Sequence, residues 1–325
     1  MRWLRRAWPF VALAAALFLA GTIYLPYYSI GPGPARPVGP LIRFDGHPRY
    51  ESEGSFVLTS IHYEQLTALG IARSWLDPDR SVVSRDFLFR PGESAEEEQV
   101  RSTSEMDQSK LDAAYVVLGE LTGYPVEHGD GVLIESVVAG CAADGELFPG
   151  AVVRAIDGNE VDDVEEASRA IRLAPSGARL EFDVTVDGEP QAVSLLRAPC
   201  GREARAIVGV QMIETFPFDL RISSGGIGGP SAGLAWALGL YDLLTPGDLA
   251  SGRTIAVTGE LGVDGTVFAI GAPDEKVAAA AHAGASVLIL PQANLAEARS
   301  IGDRGVELVP VRSFEEALAY LQGNG

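Results

Sequence analysis

Residues Ser223–Leu244 read SSGGIGGPSAGLAWALGLYDLL. Four glycines crowd ahead of Pro230 and Ser231, and a long apolar run follows. Three roles compete for such a stretch: a phosphate cradle, a flexible linker, or the seat of a nucleophile. A Walker-type phosphate loop needs G-x-x-x-x-G-K-[ST], with the lysine reaching the phosphates. No such string occurs in the chain. The dinucleotide pattern G-x-G-x-x-G also breaks, because Gly226 and Gly228 are followed by Ser231. GPSAG does satisfy G-x-S-x-G, the nucleophile elbow, but that elbow follows a buried strand and needs acidic and histidine partners downstream. The one downstream histidine is His282, inside the small-residue run KVAAAAHAGA. A Ser231–His282 hydrolase acting on small esters therefore has little support, though it stands as an alternative.

A different base is available. Of the 25 basic residues only Lys110 and Lys276 are lysines. Arginine does not deprotonate in proteins, whereas lysine becomes a base once its pKa is lowered. Lys276 lies in AIGAPDEKVAAAAHAG, where Gly271 and Pro273 mark a turn and Asp274 is a candidate N-cap. That places Lys276 in the first turn of a helix with an apolar wall. The positive helix end and desolvation both disfavour the ammonium, while Asp274 and Glu275 oppose them unless they face solvent. A neutral amine beside Ser231 is a competent general base.

Outward from this segment, the run from about Ala206 alternates strand-like and helix-like stretches. Strands are expected at AIVGVQM, FDLRIS, RTIAVTGEL, TVFAIG, ASVLILP and VELVPV. Helices are expected at 231–244, 274–283, 295–301 and 313–321. Upstream, GVLIESV (131–137) and 151–156 read as strands, 163–174 as an amphipathic helix capped by Asp163, and ARLEFDVTVDGEPQAVSLLRA as a hairpin turning at Asp187-Gly188. GSFVLTSIHY (54–63) reads as a strand, and the polar-then-apolar stretch beginning at Glu93 as surface helix.

The first 28 residues stand apart. MRWLRR is basic, and residues 9–28 form 20 uncharged residues flanked by tryptophans and tyrosines. That length spans a bilayer as a helix, and arginines at its start orient residues 1–8 to the cytoplasm and the bulk outside. A cleaved signal peptide is the rival reading, with poor candidate cleavage points. Residues 29–40, rich in Pro and Gly, then read as a linker, and 41–119 as a strand and helical segment packed on the last domain. The formal net charge of −19 argues against nucleic acid as a partner. Two cysteines, Cys141 and Cys200, are too few for a framework and have no zinc-ligand spacing. Outside the cell they form a disulfide; otherwise they are two separate thiols. Neither a metal nor a cofactor is expected.

Two resemblances give these pieces a common meaning. GGPSAG followed by TGELGVDGTVFAIGAPDEK resembles the proteolytic domain of Lon-type serine peptidases, over roughly 203–325. The resemblance implies an α/β (α+β) Lon-type domain with a Ser-Lys dyad: Ser231 as nucleophile, Lys276 as general base, and Thr258 orienting the amine. Backbone at Gly229, Pro230 and Ala232 is expected to meet the oxyanion. VLILPQAN places Asn294 at a matching position. Gly228 departs from the acidic residue many Lon enzymes carry before GPSAG, and no ATPase module is present. Residues 120–198 resemble a small β-rich PDZ domain in permuted strand order, carried by GVLIESV, LFPGAVVRAIDGNEV and the helix after it. PDZ domains bind chain ends by adding a strand beside that helix. The matching loop is expected at Gly123, Tyr124, Pro125 and Val126, which lacks the usual glycine-rich pattern. Anchor, PDZ and Lon-like domain in this order resemble bacterial membrane-anchored PDZ–Lon-like peptidases. That resemblance implies ATP-independent cleavage of unfolded or regulatory extracytoplasmic proteins and, from the family alone, a homo-oligomeric ring. A non-catalytic PDZ scaffold is the competing class.

Overall fold

A computed structural model describes residues 2–186, 188–200, 205–300, 302 and 304–323. Asp187, at the expected hairpin turn, lies outside the described residues. Helix α1 (Arg2–Thr22) ends well before Tyr28, and strand β1 (Tyr24–Pro32) begins almost at once. The reason is local: Tyr24, Tyr27 and Tyr28 suit a strand, and Pro26 cannot continue a helix. No described helix is long and apolar enough to cross a membrane. The expected spanning helix over 9–28 is thus corrected to a helix that stops at Thr22.

The expected linker over 29–40 is corrected too. Ser29 and Ile30 are buried, and residues 36 and 37 form β2 (Arg36–Pro37). Next come β3 (Ile42–Phe44), β4 (Ser55–Leu58) and β5 (Ile61–Thr67). Then follow α2 (Ala68–Ser74), β6 (Ser81–Ser84), α3 (Arg85–Leu88) and the long α4 (Ala95–Leu121). Strand β1 pairs antiparallel with β5 and β6 in a sheet of its own. Helix α4 starts at a capping box, in which Ser94 and Glu97 satisfy each other's backbone N–H groups.

The smaller unit contains β7 (Val132–Val137), β8 (Val152–Ile156), β9 (Asn159–Glu160) and α5 (Val164–Leu173). It continues through β10 (Arg179–Val186), β11 (Glu189–Leu196), β12 (Ala198–Pro199), β13 (Ala206–Ile207) and β14 (Val210–Glu214). Its antiparallel sheet runs β11-β10-β8-β7-β14. A separate core, with Phe182, Ile134, Val153 and Leu195 fully enclosed, lies between this sheet and α5. The last strand, 210–214, falls beyond the expected boundary at 198. Cys141 and Cys200 are joined as a disulfide, which decides between the two open alternatives.

The remaining elements are β15 (Leu220–Ile222), α6 (Gly233–Leu244), β16 (Thr254–Val257), β17 (Glu260–Leu261) and β18 (Val267–Phe268). After them come α7 (Pro273–His282), β19 (Val287–Pro291), α8 (Leu295–Ala298), β20 (Glu307–Val311) and α9 (Phe314–Gly323). They complete a five-stranded sheet, β2-β4-β16-β19-β20, parallel from β4 onward. The run 54–63 therefore splits, its first half joining this sheet as β4 and its second half pairing with β1. One face packs on α4, α6 and α9, the other on α7 and α8. Burial on both faces explains why β19 is an unbroken apolar run, with all five residues buried. Helix α6 is buried nearly all round, and Trp236 is fully enclosed with its Nε1 donating to Met106 Sδ at 3.4 Å.

Candidate active site

Three pieces of backbone converge at the C-terminal end of β16. Thr258 follows that strand directly, and its N–H donates to the Ile289 carbonyl at 2.9 Å. Gly259 N–H donates to the Ser231 carbonyl at 2.9 Å, and Leu234 N–H donates to the Gly259 carbonyl at 3.1 Å. A Cβ at Gly259 would sit 2.9 Å from Val267 Cγ1 and 3.3 Å from Leu234 Cβ, so the close approach requires glycine. Pro230–Ala232 make a single 3₁₀ turn before α6, which holds Ser231 at the mouth of that helix. Its start is two residues later than the sequence suggests.

Lys276 comes from the first turn of α7, as expected, but the cap differs. Ala272 in the left-handed conformation (φ 53°) is the N-cap and Pro273 takes the first helical position, so Asp274 is already inside the helix. Asn294 braces the turn that leads there: its Oδ1 accepts from Ile270 N–H and its Nδ2 donates to the Ile270 carbonyl, both at 2.9 Å. Lys276 Nζ lies 2.7 Å from Ser231 Oγ and donates to Thr258 Oγ1 at 3.2 Å. Thr258 Oγ1 in turn donates to the Ser231 carbonyl at 3.2 Å.

The lysine is 3% exposed and has no carboxylate partner among the described residues. Burial alone pulls its pKa down to about 7. Neither Asp274 nor Glu275 counters this through an ion pair; burial likewise pushes the Asp274 carboxyl up. His282 is elsewhere. Its Nε2 faces Asp79 Oδ2 at 3.3 Å, and its side chain is largely exposed.

The expected oxyanion backbone needs revision. Gly229 N–H is committed to the Ser102 carbonyl at 2.7 Å, and Pro230 has no N–H. Ser231 and Ala232 precede α6, where backbone N–H groups lack intrahelical acceptors. The expected chain-end loop is also misplaced. Gly123–Val126 directly follow α4, where Tyr124 is buried in the larger core with its hydroxyl donating to the Glu214 carbonyl at 2.8 Å. The strand beside α5 is instead β14, whose Glu214 carboxylate accepts the Val164 N–H that opens α5. The segment leading into β14 contains β13, and the Val208 and Gly209 carbonyls accept from Ala143 and Val138 N–H; residues 201–204 before it lie outside the described residues.

Helix α4 supplies contacts that no motif announced. Ser109 Oγ donates to the Pro230 carbonyl at 2.9 Å, and Ser102 holds Gly229 as described. On the same helix Asp112 is buried between Glu135 of β7 and Glu260 of β17, which pushes its carboxyl up to about 8, by burial first and then by Glu135.

Comparison with known proteins bears on the last part of the chain, from within β10 of the smaller unit onward. Residues 183–321 match the Lon protease (S16) C-terminal proteolytic domain, so this stretch is Lon-like in sequence. Lon protease 2 of Bacillus subtilis is 35% identical over 104 residues, covering 31% of this chain and 18% of that protein. Lon protease 1 of Herpetosiphon aurantiacus is 49% identical over 69 residues, covering 21% and 8%. The archaeal Lon protease of Methanocaldococcus jannaschii is 36% identical over 90 residues, covering 28% and 13%. The chain spans less than a fifth of the length of each of these relatives. Among solved structures, the PDZ domain of the SdrC-like protein of Listeria monocytogenes is 19% identical. It covers 26% of this chain and 87% of that one, with a TM-score of 0.24.

Proposed function

We propose that this chain is a serine endopeptidase in which Ser231 is the nucleophile and Lys276 the general base. The observation that carries the reading is the 2.7 Å contact between Ser231 Oγ and a buried, unpaired lysine amine. With its pKa near 7, the amine is substantially neutral at neutral pH. It accepts the Ser231 proton as Oγ attacks a peptide carbonyl, then returns that proton to the departing amine nitrogen. Water, activated by the same amine, hydrolyses the acyl-enzyme. Thr258 fixes the rotamer of the lysine through its hydroxyl. The N–H groups of Ser231 and Ala232 are the donors for the oxyanion.

Substrate reading extends the proposal. The smaller unit takes exposed chain ends at the open edge of β14 beside α5, so substrates are unfolded or regulatory proteins. The Cys141–Cys200 bond favours an oxidising compartment outside the cytoplasm. By this reading the chain does not itself use ATP, as it carries no nucleotide loop of the Walker type. The Ser-His alternative is disfavoured by the engagement of His282 with Asp79.

The test is casein cleavage and fluorophosphonate labelling by the purified chain. Ser231→Ala abolishes both, and Lys276→Ala lowers the cleavage rate by roughly 10²–10⁴-fold. His282→Ala stays within about twofold of the parent. Labelling at full rate in Lys276→Ala rejects the dyad. Binding of C-terminal peptides with no turnover favours a scaffold instead.

A further inference from the structure

A groove of about 1180 Å³ runs between the two units and ends at the glycine run Ser223–Gly226, a few residues before Ser231. Its volume exceeds the usual range for small-molecule sites, about 300–1,000 Å³. One wall is the smaller unit, with Phe148 and Val152; the opposite wall is β15, with Leu220 and Ile222. Strand β15 has one neighbour, β3, among the described residues. The register decides which backbone groups that pairing uses. Asp45 N–H donates to the Asp219 carbonyl and Ser223 N–H to the Leu41 carbonyl, with Arg221 opposite Arg43 between them. In an antiparallel pair, residues at alternate positions bond the same neighbour. Asp219, Arg221 and Ser223 therefore face β3, and the N–H and C=O groups of Leu220 and Ile222 face away from it. The far end of the groove is pinned, because Arg36 Nη1 donates to the Gly225 carbonyl at 2.9 Å.

We propose that this groove is the substrate channel, in which an extended polypeptide adds as a strand to the Leu220–Ile222 edge while the smaller unit forms the facing wall. The proposal rests on the peptidase reading above and goes beyond it. It gives the smaller unit a second role, contacting the substrate away from the scissile bond with a face separate from the β14–α5 edge. An unpaired strand edge selects extended backbone, whatever its sequence. Phe148, 46% exposed, supplies the apolar contact that adds side-chain preference. The glycine run then lets the polypeptide lie close to the backbone as it turns toward Ser231.

The test uses the intact chain and a peptide of roughly ten residues with one cleavage site, N-methylated one position at a time. An N-methyl group removes a backbone donor without changing the side chain, as proline does. Strand addition predicts alternation: kcat/KM falls about tenfold or more at every second position and much less between them. Loss without period two, or no loss at any position, overturns the proposal. A second arm is Phe148→Asp, assayed on the full peptide and on one truncated to the residues next to the scissile bond. The ratio of kcat/KM, full over truncated, falls roughly tenfold; an unchanged ratio removes the smaller unit from the channel. Fluorophosphonate labelling of Ser231 in the parent separates the two levels. Labelling without alternation leaves the peptidase reading standing and rejects the channel, whereas absent labelling rejects both.

Discussion

Lys276 is a stability liability that the fold retains. The unfolded chain holds this proton up to a pKa near 10.5, while the folded chain releases it near 7. Between those values the unfolded state binds more protons, so this group makes stability rise with pH from about 7 to about 10.5 and penalises folding most below 7. Lys276→Met keeps the length and apolar stem and removes the penalty. Its melting temperature is expected to exceed the parent's by a few degrees at pH 7, with a smaller gap at pH 10, measured by calorimetry at both values. A gap that grows with pH would contradict a neutral buried amine. At this scale the sequence was most legible. Ser231, Lys276 and Thr258 meet as the resemblance to Lon-type peptidases implied, and a rare lysine at an apolar helix start was the local signal beside it. The donor assignment at Pro230 overlooked that proline has no N–H, and the one at Gly229 turned on Ser102, 127 residues upstream of it.

Helix α4 links the nucleophile turn to the smaller unit. Its 27 residues run past Pro230 through Ser109, then past β7 through Asp112 and Glu135. Ser109 acts on the chemistry only through Pro230, so it is a positioning residue. Ser109→Ala is expected to lower kcat roughly tenfold with KM within about twofold, since a misplaced nucleophile weakens the transition state more than substrate binding. Ser109→Thr should recover most of the loss, and equal falls in melting temperature for both variants would indicate structure alone. Periodicity announced this helix but not its two clients. A serine on a helix carries no sequence mark of the carbonyl it will meet.

The molecule is two units, the larger with a core on each face of its parallel sheet, joined by backbone that crosses between them through α4 into β7 and through β14 into β15. The two-unit plan and most strands were legible, because alternation and turn residues mark them locally. The boundary at 198 was not, because β14 enters the smaller sheet by pairing with β7, more than 70 residues earlier. The expected helix over 9–28 overran a local break at Pro26, and Tyr24–Pro32 is then held by β5 and β6, partners that a window of residues cannot see.

The central claim is that a neutral Lys276 amine takes the Ser231 proton, and the pH dependence of Ser231 acylation tests it directly. The lysine is the acid whose deprotonation switches the site on, so the acylation rate should climb tenfold per pH unit below about 7 and level off above it. In Lys276→Ala that inflection should vanish along with most of the rate. A parent rate independent of pH between about 5.5 and 9, or one that keeps its inflection near 7 without the lysine, would contradict the account.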